Sequence, residues 1–246
     1  MCTVLLRFTP GGRWPLLVGA VRDEFVERAW DPPGAHWGGP AARLVGGRDR
    51  LAGGTWLAVN PDPDRPAFAA LLNGVRLPLP ADGVRPSRGA LPLGVLTGQP
   101  LPDPARYDGF HLLRGDPGKV ELWSWDGTTL STVDLLPGDH IVVNDGLNAT
   151  ADPLVGHFTP LLAAAATPDP VPGRPAAQAW GDWLPLVGGA GLDPADPRAL
   201  VIGREFAGHT YGSTSATLLA LAPGMLRYDF TGTPGLAADW REIPVR

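Results

Sequence analysis

Cysteine is almost missing from this chain: among 246 residues there is one, Cys2. A single cysteine excludes an internal disulfide and any zinc site built on a cysteine cluster. Lysine is equally scarce, with Lys119 alone beside 19 arginines. That skew fits a GC-rich coding bias, which also inflates Gly, Pro and Ala, so the 33 Gly and 29 Pro are a discounted sign of disorder. Against disorder stand 44% hydrophobic residues and nine Trp.

Other absences narrow the function. The net charge of −5 is scattered, with no basic stripe, aromatic-basic interleaving or Arg-rich arm, so nucleic acid is not an expected partner. The longest apolar stretches, such as "LLAAAA" at 161–166, are too short to span a bilayer, and no transmembrane segment is expected. The start of the chain has no basic n-region, and Pro10-Gly11-Gly12-Arg13 interrupts any apolar run; a cytoplasmic protein without a signal peptide is the expectation. Five histidines, His36, His111, His140, His157 and His209, lie far apart without the i, i+4 spacing of a helical metal pair, so no metal site is expected. The GxxxxGK[ST] loop and the GxSxG elbow are both missing, which argues against phosphate cradling and a serine hydrolase.

What is present reads as one domain over 1–246. "CTVLLRF" (2–8), the turn "TPGGR" and "WPLLVGAV" (14–21) predict an opening hairpin. "TWLAVN" (55–60) and "AFAALLN" (67–73) predict a second pair across "PDPDRP". "SRGALPLGVLTG" (87–98) reads as a short helix, provided Pro92 lies near its first turn. "GFHLLRG", "KVELWSWDG", "TTLSTVDLLPG" and "DHIVVND" then suit an antiparallel meander. Helical spacing follows at 152–166 and 175–187 around a Pro-rich connection, before strands return as "YGSTSATLLALAPG", "MLRYDFTG" and "WREIPV". Strands, then helices, then strands imply an α+β fold in which helices cover antiparallel sheets.

Two features carry chemistry. Cys2 follows Met1 directly, and an initiator methionine is commonly removed when the second residue is small. A free α-amine, with a reference pKa of about 7.7–8.0, would then sit on the same residue as a thiol and act as its proton acceptor. The alternative is a small buried thiol in the first strand. The second feature is Arg22-Asp23-Glu24, three ionisable groups in a row after an apolar run. They read either as a solvated turn or as part of a site, because a hairpin brings the end of its second strand back beside Cys2. Arg22 near the thiol would favour thiolate, and a carboxylate beside the α-amine would orient it. Side chains alternate along a strand, so Arg22 and Asp23 both reach Cys2 only where the chain turns or bulges.

The segments "MCTVLL", "RDEFVERAWDPPGAHW", "LVGGRDRLAGGTWLAVN", "AALLN", "SRGALPLG", "YDGFHLL" and "YGSTSATLLAL", in that order, resemble the NRDE family. This family is named for an Asn-Arg-Asp-Glu tetrad and includes the eukaryotic transport and Golgi organization 2 proteins. The resemblance implies a four-layer αββα sandwich of antiparallel sheets, as in N-terminal nucleophile hydrolases. It also implies a role as a cysteine amidohydrolase acting on a small amide or acyl substrate, with Cys2 attacking the carbonyl, Arg22 and Asp23 supporting it, and Asn73 donating to the oxyanion. The alternative it implies is a non-catalytic protein that binds haem or a lipid acyl group such as acyl-CoA, with the many Trp lining an apolar pocket. No cofactor is expected for the hydrolase; haem belongs to the alternative. The tetrad's Asn is replaced by Val21, which can neither donate nor accept a hydrogen bond, and Thr214 stands where several eukaryotic members carry arginine.

Three further stretches have structural and functional readings side by side. "AGGTWLAVN" reads as structure, with two glycines suited to unusual dihedrals or close approach and Trp56 as an apolar anchor. His36 and Trp37, in a loop near the tetrad, could line a pocket. Ser213, Thr214, Ser215 and Thr217 could present hydroxyls along one strand, although alternating Ser and Thr is also ordinary strand composition.

Overall fold

The computed structural model describes residues 2–79, 83–235 and 238–245. It is an α+β arrangement of two antiparallel sheets. β1 (Thr3–Phe8) and β2 (Leu16–Phe25) open the first sheet. The next seven strands, β3 (Trp30–Gly34), β4 (Val45–Asp49), β5 (Leu57–Asn60), β6 (Ala67–Asn73), β7 (Phe110–Asp116), β8 (Lys119–Trp125) and β9 (Leu130–Asp134), form the second sheet in sequential order. The chain then returns to the first sheet with β10 (Gly138–Val143), β11 (Gly146–Leu147), β12 (Gly203–Phe206), β13 (His209–Ala222), β14 (Met225–Thr231) and β15 (Arg241–Glu242). Across that sheet the order is β11-β10-β1-β2-β13-β14-β15, and β12 pairs with β13.

The helices are short: α1 (Leu91–Leu96), α2 (Pro153–Ala164), α3 (Ala176–Trp180) and α4 (Trp183–Val187). None among the described residues is long and apolar enough to cross a membrane. α2 starts where Asp152 caps the backbone N–H of Leu154 at 2.8 Å with Pro153 at the first position. At its other end the buried Arg7 of β1 donates to the carbonyl of Ala165 at 2.8 Å, and it also forks onto Asp139 at 2.7 and 3.0 Å.

Alternation along the first two strands sorts their side chains into two cores. Val4, Leu6, Phe8, Leu16, Val18 and Ala20 face Val59, Phe68, Leu113 and Leu122 of the second sheet. Leu5, Leu17 and Val21 face away, against Phe158, Leu162, Trp180 and Trp183 of the helices. With both faces covered, β1 is buried along its whole length, so it reads as a continuous apolar run rather than an alternating one. A third, smaller cluster joins Leu91 and Val95 of α1 to Phe110, Leu112 and Trp125 of the second sheet.

Several expectations need correction. β2 does not stop at 21 but continues through the charged triplet to Phe25. The meander breaks after β9, because β10 crosses to pair with β1. The helical stretch at 175–187 is two helices, divided at Gly181, whose φ of +49° is incompatible with continuation. β3 and β4 were not expected: "WDPPG" and "VGGRD" carry the Pro and Gly that ordinarily mark turns. Pro92 does lie in the first turn of α1, as the short helix requires.

The two glycines before β5 do what their sequence suggests. Gly53 has φ +75°, and Gly54 lies so close to the backbone of Gly89 that a Cβ would collide with it. The N–H of Thr55 also donates to the Gly89 carbonyl at 2.8 Å, so the start of β5 is pinned to the turn that precedes α1. Gly54→Ala is therefore expected to lower unfolding free energy by about 1–3 kcal/mol in urea denaturation. Gly156→Ala, in α2 with open space around it, is expected to raise it by about 0.5–1 kcal/mol. Equal effects from the two substitutions would contradict this packing.

Candidate functional site

The site is set by register. Thr3 pairs with Val21, so Cys2, one residue before β1, lies across from Arg22. β2 continues past that point because β13 supplies its other neighbour: Val21 pairs with Ala216, Arg22 with Ser215, Asp23 with Ser213 and Phe25 with Tyr211. Between Ser213 and Ser215 the register shifts, leaving Thr214 as the extra residue of a bulge opposite the Arg22–Asp23 peptide. The irregularity needed to bring both side chains to Cys2 is thus in the neighbouring strand.

Cys2, Arg22, Asp23 and Asn73 all line one cavity of about 410 Å³. Trp56 and Arg88 line it too, as do the carboxylates of Glu24, Asp49 and Asp108. Arg22 is 5% exposed and heavily partnered. It donates to the Thr214 hydroxyl at 2.7 Å, lies 4.4 Å from the Trp56 ring centre, and faces Glu24 at 3.5 Å and Asp49 at 3.9 Å. Thr214 in turn donates to the Arg22 carbonyl at 3.3 Å, so the bulge residue fixes the arginine from both ends. Val21 points to the helix-facing core, away from the cavity.

Cys2 is partly buried. Its backbone N–H donates to Asn144 Oδ1 at 3.0 Å, and its Sγ lies 3.9 Å from the Asp23 carbonyl oxygen. Burial pushes the thiol above its ordinary pKa, the negative charge of Asp23 adds to this, and Arg22 opposes it only weakly. Arg22 does act in the expected direction, toward thiolate, but desolvation outweighs it. Asp23 is itself buried; it accepts from the Ser213 hydroxyl at 2.5 Å, and burial raises its pKa to about 6 against that hydrogen bond.

Asn144 was invisible to sequence reasoning, since it lies 142 residues from Cys2. It occupies the turn between β10 and β11, and its carbonyl oxygen is 3.0 Å from His111 Nε2 in the second sheet. A carbonyl only accepts, so Nε2 carries the hydrogen and Nδ1 accepts from the Ser124 hydroxyl at 2.8 Å. Burial lowers the His111 pKa, consistent with a neutral ring. The only available signal was the Asn-Asp pair, which reads simply as a turn.

The remaining candidates divide. Asn73 stands exposed at the end of β6 with no side-chain hydrogen bond among the described residues. His36 and Trp37 do not line the cavity; His36 Nε2 meets the Pro32 carbonyl of its own loop at 2.8 Å, and Trp37 donates to Gly53 at 2.9 Å. Trp56, expected as a core anchor, is also part of the cavity wall. Among the described residues no group of three or more His, Cys, Asp or Glu is placed to hold a metal ion.

Asp23 gives the site a pH signature. The folded chain keeps this proton up to about pH 6, whereas the ordinary value is 3.8, so the stability it contributes is fully present below about pH 4 and lost as pH rises through 6. Asp23→Asn, which retains an acceptor for Ser213, is expected to gain about 2–3 kcal/mol relative to the parent between pH 4 and pH 7. Urea unfolding across that range checks it, and a pH-independent difference would contradict it.

The cavity, the half-buried Cys2 and the Arg22-Asp23-Glu24 end of β2 all fall within the region that comparison with known families identifies. No curated protein matches the chain. The family model described as Transport and Golgi organisation 2 matches residues 1–153, more than half of the 246, and the chain belongs to that family.

Proposed function

We propose that this protein is a cysteine N-terminal nucleophile amidohydrolase, a single αββα domain over 1–246 that cleaves a small amide or acyl bond. The observation that carries the reading is the Cys2 N–H held by Asn144 Oδ1 at 3.0 Å beside a cavity that also contains Cys2, Arg22, Asp23 and Asn73. Once Met1 is removed, that nitrogen is the α-amine, and the hydrogen bond to Asn144 holds it on the same residue as the sulfur. A thiol held above its usual pKa arrives protonated, so the reaction needs a base within reach, and the amine supplies it.

The steps balance as follows. The amine takes the Sγ proton as sulfur bonds to the substrate carbonyl carbon, and the Asn73 amide donates to the resulting oxyanion. Collapse breaks the C–N bond, with the ammonium returning its proton to the leaving amine. Water then attacks the thioester with the same amine as base, releasing the carboxylic acid and restoring the thiol. Arg22 and Asp23 fix the strand end and the charge around sulfur.

The cavity volume suits a small molecule. Its lining favours the hydrolase over an acyl or haem carrier: of the nine Trp, all among the described residues, only Trp56 lines it, while arginines and carboxylates make up much of the wall.

Intact mass of the purified protein is expected to show a chain beginning at Cys2, and retention of Met1 would overturn the catalytic reading. With a panel of short N-acyl p-nitroanilides, Cys2→Ala should abolish turnover and Asn73→Ala should lower kcat by roughly 10²–10³-fold. A full-length, Met1-free protein that hydrolyses none of them but retains haem or an acyl-CoA through gel filtration would support the carrier instead.

A further inference from the structure

Four arginines line the cavity, and three have their charge answered. Arg22 faces Glu24 at 3.5 Å, Arg28 meets Asp49 at 2.6 Å, and Arg85 lies 3.4 Å from Asp108. Arg88 is different. Its guanidinium donates one hydrogen bond, to the Gly109 carbonyl at 2.6 Å, and no carboxylate among the described residues comes within 4.0 Å. Asp108, which exerts a longer-range pull on Arg88, is already engaged by Arg85 and by the backbone N–H of Leu77 at 3.1 Å.

Burial is the largest influence on Arg88 and disfavours its charged form, so the cation sits partly desolvated without a contacting counter-charge among the described residues. Its position is nevertheless fixed. Ser87 caps the Gly89 N–H at 3.2 Å, and Gly89, in the turn before α1, is pinned to Gly54 and Thr55 at the start of β5. A rigidly held guanidinium with unused N–H donors facing a cavity matches the geometry of a carboxylate.

We propose that the cavity takes a substrate bearing a carboxylate, held by Arg88 while the carbonyl to be cleaved lies at Cys2. This deepens the hydrolase reading and rests on it for the second half of the statement. Arg88 sits on the Asn73 side of the cavity, since the Gly109 carbonyl that accepts from its guanidinium also accepts from the N–H of Gly74 at 2.9 Å. Amides whose acyl or amine portion is a free acid fit; their esters and primary amides do not.

The single cysteine permits a test that needs no turnover. Iodoacetate and iodoacetamide are nearly the same size and differ in charge, and each alkylates Cys2 as sulfur displaces iodide and the thiol proton goes to solvent. The ratio of their rates is expected to fall about tenfold in Arg88→Gln and to survive in large part in Arg88→Lys. In the unaltered protein, calorimetry should show N-butanoylglycine binding about tenfold more tightly than the neutral N-butanoylglycinamide. An unchanged rate ratio in a folded Arg88→Gln, or equal binding of the two glycine derivatives, overturns the carboxylate site whatever the protein hydrolyses. Preferential binding of the acid by a protein that cleaves no amide supports the site at Arg88 and sinks the hydrolase reading alone.

Discussion

The constraint on which the site depends is the pairing of β2 with β13 beyond the point where β1 ends. Along β2 the inward row is Leu16, Val18 and Ala20, all packed between the sheets, and the next member of that row is Arg22. Left without a partner strand, an Arg-Asp-Glu sequence belongs in water. β13 holds it in extended form, and its bulge supplies Thr214 to the guanidinium. Desolvating a guanidinium costs several kcal/mol. Trp56, Thr214, Glu24 and Asp49 offset that cost only because three separate stretches of chain converge on one residue.

That convergence shapes the proton chemistry. The interior that buries Arg22 also raises both the thiol of Cys2 and the carboxyl of Asp23. The charge of Asp23 adds to the shift at Cys2, since a charged Asp23 disfavours thiolate. A cysteine in such surroundings is unlike one activated by an adjacent cation, and its reactivity depends on what can remove its proton. In the proposed chain without Met1, that group is the Cys2 nitrogen held by Asn144. Its support crosses the gap between the sheets, from Ser124 and His111 in the second to Asn144 in the first.

Much of this was legible because it is local. The hairpin of β1 and β2, strand β6 from Ala67 to Asn73, the α1 turn around Pro92 and the α+β class all follow from apolar patterning and turn residues a few positions apart. The association of Cys2 with Arg22 followed from the hairpin alone. What escaped is non-local. Nothing near residues 22–25 announces a partner strand about 190 residues away, so local patterning ends β2 at Val21. β3 and β4 hid behind Pro and Gly, whose turn signal was overridden by pairing with each other and with β5. Asn144 and His111 are ordinary residues in ordinary strands until the sheets stack.

The same register explains a departure from the tetrad that gives the NRDE family its name. Position 21 lies on the helix-facing side of β2, where Val21 is 2% exposed among Leu17, Ala216 and the helix side chains. Position 22 is on the cavity side, and position 23 reaches the cavity through the bulge. An asparagine at 21 would bring two polar groups into that apolar layer and need partners there. Valine needs none. The substitution therefore alters how the first sheet meets its helices and leaves the cavity wall untouched, so the three retained members, Arg22, Asp23 and Glu24, are the three that line the cavity with Cys2.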